Sequence, residues 1–274
     1  MSIGPVRNHR DREKGVLVYP VYSRRSGGLS VGINLFPDHK VCNFRCPYCE
    51  VFPFRTEYDF SLALMEADLT ETLAGAKTKE ITVRDICFSG NGESTLSPDF
   101  PAALDAAFRI RDRDVPNAEL VLITNGSGLL DEGTFDLLRR TAVGERGLRI
   151  WLKLDAGSSA WYDAMNNSSL SFVRLVEKIR AFVQCAPLTL QTMICAIDGE
   201  APPPEEARAW ETLVAELACS AAELRGVQIY GKARPAPDDP FAAALPGAFL
   251  EARAASLRAV LAAAGKEIAV AVYP

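Results

Sequence analysis

The sequence predicts an α/β protein built on a parallel sheet with helices outside it. Three observations carry this. After residue 30, apolar strand-length runs and helix-period segments alternate at least six times. The strand runs are nearly continuous in apolar residues, as expected of strands covered on both faces. Six consecutive strands also end in polar or metal-binding residues, so the chemistry gathers at one end of the sheet. Repeated crossovers of one hand give an open doubly wound sheet or a barrel, whole or partial, and periodicity does not choose between them.

A first strand is expected over 31–36, running straight into a cysteine-rich loop. A helix over 59–77 follows, with Leu62, Met65, Leu69, Leu73 and Ala76 at helical spacing. Next come a strand over 82–89, a helix over 99–112, a strand over 119–124 and a helix over 131–141. The fourth strand spans 148–154. After a loop, a helix over 171–184 carries Phe172, Val176, Ile179 and Val183 on one face. A strand over 188–194, a helix over 204–223 behind Pro202-Pro203-Pro204 and a strand over 226–230 complete six units. A Pro-rich link, an alanine-rich helix over 246–264 and a last strand over 267–273 close the chain. Residues 1–30 show no periodicity and read as an N-terminal extension, solvated and disordered at its start. Residues 31–274 read as a single domain.

Apolar residues make up 48% of the chain and charged residues 24%, the composition of a globular protein. No apolar run reaches membrane-spanning length, and the polar start is no signal peptide, so a cytoplasmic location is expected. Seven cysteines fit a reducing compartment. The net charge of −5 offers no general attraction for nucleic acid. The local cluster Arg24-Arg25 is either a solvated surface or a contact for an anionic substrate.

The loop Cys42-Asn43-Phe44-Arg45-Cys46-Pro47-Tyr48-Cys49 places three thiols at spacings that curl around one small metal centre. An iron–sulfur cluster with three protein ligands leaves one iron open. A structural zinc site, closed by His39 as fourth ligand, is the alternative. Cys87, Cys185, Cys195 and Cys219 stand alone and read as small buried hydrophobes.

The other strand ends carry Gly90-Asn91-Gly92-Glu93, Asn125-Gly126, Lys153 with Asp155, Gln191 with Thr192, and Gln228 with Tyr230. The glycines suit either a tight turn or an amide nest for a ligand, with Glu93 as a fixed negative charge. Lys153 and Asp155 face one side of the sheet and either pair with each other or face a ligand. Gln191, inside an apolar strand, needs a partner. Trp161-Tyr162 reads as packing or a lid.

Cys42-x3-Cys46-x2-Cys49 after a first strand, with a Gly-rich, Glu-ending turn after the second, resembles the radical S-adenosylmethionine (radical SAM) superfamily. Ser23-Arg24-Arg25, Gly32-Ile33-Asn34-Leu35 and Phe88-Ser89-Gly90-Asn91-Gly92-Glu93 resemble its wyosine-synthase-like branch. The family's usual Gly-Gly-Glu is Gly-Asn-Gly-Glu here, and Ser94 replaces a common Pro. The resemblance implies a partial (β/α)6 TIM-like barrel of parallel strands with outer helices. It implies a 4Fe–4S cluster on Cys42, Cys46 and Cys49, whose open iron chelates S-adenosylmethionine. Tyr48 would lie against the adenine, Gly90, Asn91, Gly92 and Glu93 would hold the methionine ammonium, and Asn125, Lys153, Asp155 and Gln191 the ribose and carboxylate. Ile229 would pack the adenine. The implied oxidoreductase chemistry is reductive cleavage to a 5′-deoxyadenosyl radical that abstracts hydrogen from a small-molecule or nucleotide-like substrate. An external electron donor of flavodoxin or ferredoxin type is implied, and a tRNA substrate is the alternative.

Overall fold

The computed structural model describes residues 15–220 and 223–274. The expected disordered start, residues 1–14, lies outside the described residues. The packing divides into two compact units, neither continuous in the chain. The first comprises residues up to Cys42, Val51–Thr124 and Gly144–Arg149; the second comprises Asn43–Glu50, Asn125–Val143 and Ile150–Pro274.

In the first unit, β1 (Val18–Ser23) pairs antiparallel with β2 (Gly28–Ile33). After a long loop, α1 (Leu62–Thr78) leads into β3 (Val83–Phe88), and α2 (Phe100–Asp114) leads into β4 (Glu119–Thr124). β2, β3 and β4 are parallel neighbours, and β1 lies beside β2 at one side. The expected extension thus contains a hairpin. Pro20 masks β1 in the sequence, but an edge strand tolerates a residue without an N–H. The first strand also ends at Ile33, not Phe36. Asn34 breaks it: its Oδ1 accepts from Phe36 N at 3.2 Å, and its Nδ2 donates to Val16 O at 3.0 Å.

That hairpin decides the place of Arg24 and Arg25. They lie on the β1–β2 turn, at the end where Ser23 pairs with Gly28, whereas Phe88 and the Gly-rich turn follow the Ile33 end. Five residues of β2 separate the two ends, roughly 17 Å at 3.3 Å per residue. The arginines stand at the wrong end of the strands to meet a ligand on the Gly-rich turn.

The second unit contains α3 (Glu132–Ala142), β5 (Arg149–Lys153) from its second residue, α4 (Ser159–Asn166), α5 (Phe172–Val183), β6 (Leu188–Ile194) and the short β7 (Ala196–Ile197). It continues with α6 (Pro204–Ala218), β8 (Leu224–Gly231), the short β9 (Ala242–Ala243), α7 (Gly247–Ala263) and β10 (Val270–Tyr273). β5, β6, β8 and β10 run parallel in that order; β7 and β9 form a separate antiparallel pair. α4 falls where a loop was expected. Ser158 caps it by accepting from Trp161 N at 3.2 Å, and left-handed Asn167 ends it. α6 stops at Ala218, five residues short of the expected end, and β10 starts three residues later than expected.

Candidate functional site

The Gly-rich turn of the first unit is built by the backbone. Gly90 takes φ +135°, with the Asn34 side chain where a Cβ would sit. At Gly92 a Cβ would fall 1.8 Å from the Val41 carbonyl oxygen. The glycine therefore admits the cysteine loop. Val41 N donates to Asn91 O at 3.1 Å, and Glu93 N donates to Val41 O at 2.9 Å, one residue before Cys42. Asn91 spends its remaining groups inside the protein: its N–H goes to Asn34 Oδ1 at 3.1 Å and its Nδ2 to Phe36 O at 3.0 Å. Two amides of the expected nest are thus already engaged, and Asn91 serves to hold the turn.

Glu93 is buried, and its carboxylate is fixed by donors from two elements. Oε1 accepts from Thr95 N at 3.3 Å, Thr95 Oγ1 at 2.7 Å and Thr124 Oγ1 at 2.7 Å. Three donors on one oxygen orient the group without neutralising it.

The second unit holds residues 43–50 of the cysteine loop by side chains. Asp155 is the centre. It accepts from the Tyr48 hydroxyl, from Asn166 Nδ2 at 2.9 Å and from Met193 N at 2.8 Å. Lys153 Nζ is 3.9 Å from the same carboxylate and 4.5 Å from the centre of the Tyr48 ring. The expected Lys153–Asp155 pair is therefore a loose contact beside three closer donors. Burial disfavours the Lys153 ammonium, but Tyr230, Asp155 and Cys46 outweigh it and raise its pKa. Burial, and then Asp155, push the Tyr48 hydroxyl well above its ordinary value, so it stays a proton donor.

Asn166 reaches the loop itself. Its carbonyl accepts from Arg45 N at 3.0 Å, and its Nδ2 lies 3.5 Å from Cys46 Sγ. Asn43 is tied from two sides, by Asn125 Nδ2 on its Oδ1 at 2.9 Å and by Ser168 Oγ on its carbonyl at 3.0 Å. Phe44 stacks edge-on against buried Tyr162, which accounts for Trp161-Tyr162 as packing. Beneath the loop lie Met165, Met193, Cys195 and Ile197.

The remaining predicted residues are deeper. Gln191 is fully buried and finds its partner in Gln228, Nε2 to Oε1 at 2.7 Å. Ile229 is fully buried on β8. Cys87 and Cys195 are buried as expected, and burial pushes Cys195 up to about 12. Cys185 and Cys219 are exposed, a correction: each follows the end of a helix rather than an inward face. Sequence reasoning missed Asn166, Asn43 and Asn34, whose roles depend on partners 11 to 125 residues away or on a turn.

None of the seven cysteines forms a disulfide. Among the described residues, no three Cys, His, Asp or Glu side chains are gathered as a metal-binding group. The donor chemistry nonetheless fits a cluster. Three thiols stand on one short loop, and the Asn166 side-chain amide donates toward Cys46 Sγ at 3.5 Å. His39 has its Nδ1 on Asp38.

No family model matches the chain. An 80-residue stretch is 35% identical to a UPF0026 protein of Helicobacter pylori (strain J99), covering 29% of this chain and about a quarter (26%) of that relative. A radical SAM methyltransferase from Sphaerobacter thermophilus superposes with a TM-score of 0.64 at 14% identity, over 93% of this chain and 68% of that one. SuiB of Streptococcus suis, in a complex with its precursor peptide SuiA, gives 0.65 at 12% identity, over 92% of this chain and 51% of SuiB. The SuiB complex with S-adenosylmethionine gives 0.64 at 13% identity. The expected fold class, a partial (β/α)6 TIM-like barrel of parallel strands with outer helices, is the one found: the chain has the fold of radical SAM enzymes.

Proposed function

We propose that this protein is a radical SAM enzyme, with a 4Fe–4S cluster on Cys42, Cys46 and Cys49, acting on a small-molecule or nucleotide-like substrate. The observation that carries the reading is the clasp of the second unit. Tyr48 of the cysteine loop and Asp155, just past a strand end 107 residues away, meet in one buried hydrogen bond. When bound, the cluster and S-adenosylmethionine supply hydrogen-abstracting radical chemistry, fed by an electron donor of flavodoxin or ferredoxin type.

The protein's own residues do the placing. Cys42, Cys46 and Cys49 are the metal ligands. Glu93, held on Oε1, presents a fixed negative charge suited to the methionine ammonium. Gly90 and Gly92 let the cysteine loop and the turn approach. With the Tyr48 side chain committed to Asp155, its backbone is the part left for the adenine. Lys153, kept protonated, suits the methionine carboxylate; Asn125 and Asp155 would stand on the ribose side, with Gln191 and Ile229, both fully buried, supporting the ribose and adenine sides from within the strands. Seven cysteines with no disulfide among them fit a reducing, cytoplasmic setting. Among the described residues, no helix is long and apolar enough to cross a membrane.

The test is anaerobic reconstitution with iron and sulfide, then dithionite and S-adenosylmethionine, with 5′-deoxyadenosine measured by mass spectrometry. Formation is expected, and its loss in Cys46→Ala. Zinc without inorganic sulfide in the purified protein would instead show a structural site closed by His39, whose Nδ1 on a carboxylate is how zinc-ligand imidazoles are oriented. A wyosine-type tRNA substrate would show as tRNA binding that weakens steeply with salt.

A further inference from the structure

Asn166 closes α4 and is buried among the elements that hold the cysteine loop. Its two functional ends do different things. The backbone carbonyl, one of the last four of the helix and so without an intrahelical donor, has the Cys46 thiol 4.0 Å away and accepts from Arg45 N at 3.0 Å. That bond holds the loop and survives any change of side chain. The side-chain amide makes two other contacts, to Asp155 Oδ2 at 2.9 Å and to Cys46 Sγ at 3.5 Å.

The carboxylate decides which end of the amide faces the sulfur. Asp155 Oδ2 is the acceptor in this contact, so it faces the NH2 end of Asn166 and not the carbonyl. One N–H goes to Asp155, and the second, on the same nitrogen, is aimed at Cys46. Asp155 is in turn fixed by Tyr48 and by Met193 N, so the amide is held from behind.

We infer that Asn166 is a positioning residue whose amide donates to the Cys46 sulfur and raises the reduction potential of the cluster bound there, an inference that rests on the proposed function. A donor to a ligating sulfur stabilises the reduced, more negative cluster more than the oxidised one. The residue therefore makes the electron that starts the reaction easier to accept. Nothing in the cysteine spacing indicates this; the donor arrives from α4, 120 residues along the chain.

The test is a redox titration of the reconstituted full-length protein without S-adenosylmethionine, followed by EPR, comparing wild type, Asn166→Leu and Asn166→Gln at matched iron and sulfide content. At a fixed potential the ratio of reduced to oxidised cluster is expected to fall about tenfold in Asn166→Leu, a downward shift of about 59 mV for one electron. Asn166→Gln, which keeps an amide donor on a longer arm, recovers part of it. Should Asn166→Leu hold no cluster, pulsed EPR of the reduced wild type carrying side-chain ¹⁵N-asparagine decides: a resolved ¹⁵N coupling supports the inference and its absence overturns it. Wild type that loads and cleaves S-adenosylmethionine, with Asn166→Leu titrating at an unchanged potential, overturns this inference alone. Wild type that takes up no iron and sulfide overturns the proposed function, and this inference with it.

Discussion

The Gly-rich turn of the first unit and the clasp of the second fix neighbouring parts of one cysteine loop by opposite means. The turn works by what is missing. Gly92 has no side chain, so the Val41 carbonyl can lie where one would be, and two backbone bonds join the strands of loop. The clasp works by what is added: Asp155, Asn166, Asn125 and Ser168 each spend a polar side chain on the loop. A backbone-built contact tolerates no substitution at its close approach. A side-chain-built one degrades bond by bond and can be adjusted residue by residue.

The sharpest way to break this comparison is Gly92→Ala. Its Cβ would overlap a backbone oxygen that no rotamer change can move, so a loss of about 3 kcal/mol is expected, with iron uptake abolished. Urea unfolding and iron analysis check it. Gly75→Ala is the control: inside α1 nothing lies within 4 Å of the added Cβ, and a gain of about 0.5–1 kcal/mol is expected. Equal losses at both positions would remove the close-approach argument.

Asp155→Ala comes next. It strands the Tyr48 hydroxyl, the Asn166 amide and Met193 N in a buried setting, and a loss of about 2–3 kcal/mol is expected, read as a lower urea midpoint at unchanged slope. Glu93→Gln separates charge from shape. The amide oxygen can keep the three donors, so stability should change by less than about 1 kcal/mol. Calorimetry on the cluster-loaded protein should nevertheless show S-adenosylmethionine bound about tenfold more weakly, a difference of ~1.4 kcal/mol.

The smallest effect concerns Asp85, away from both regions. Burial raises its pKa above the ordinary 3.8, although the Ser30 hydroxyl donates to it. The folded state therefore binds the proton more tightly than the unfolded chain. Its contribution is fully present below pH 3.8 and is lost as pH rises through the folded value. Asp85→Asn should flatten that decline, visible as a smaller drop in melting temperature between pH 4 and 7.

Much of this was legible in the sequence. The alternation of strands and helices, the three cysteines, the two glycines and the Lys153–Asp155 strand end all announce themselves by local spacing. What stayed hidden is whatever depends on distant pairing. β1 carries a proline that only its edge position excuses. α4 is eight residues long, and its importance lies in Asn166, an asparagine like many others until Asp155 and Cys46 are brought beside it. Arg24 and Arg25 were read by proximity in sequence, and the antiparallel hairpin carries them to the far end of β2.

Behind Asp155 lies a joint of another kind. Gly157 packs so closely on α6 that a Cβ would sit 2.0 Å from Trp210 N, and its N–H, with the Ser158 hydroxyl, is bound by the Glu206 carboxylate. The Trp210 indole returns a bond to Leu154 O at 3.1 Å. Since the Gly157 amide is shielded by a side chain of α6 and not by a neighbouring strand, it can exchange with solvent deuterium only when that helix lets go. One peptide proton thus becomes a clock for α6, and its exchange rate, followed before and after iron and sulfide are added, measures how firmly the strand end carrying Asp155 is gripped from outside.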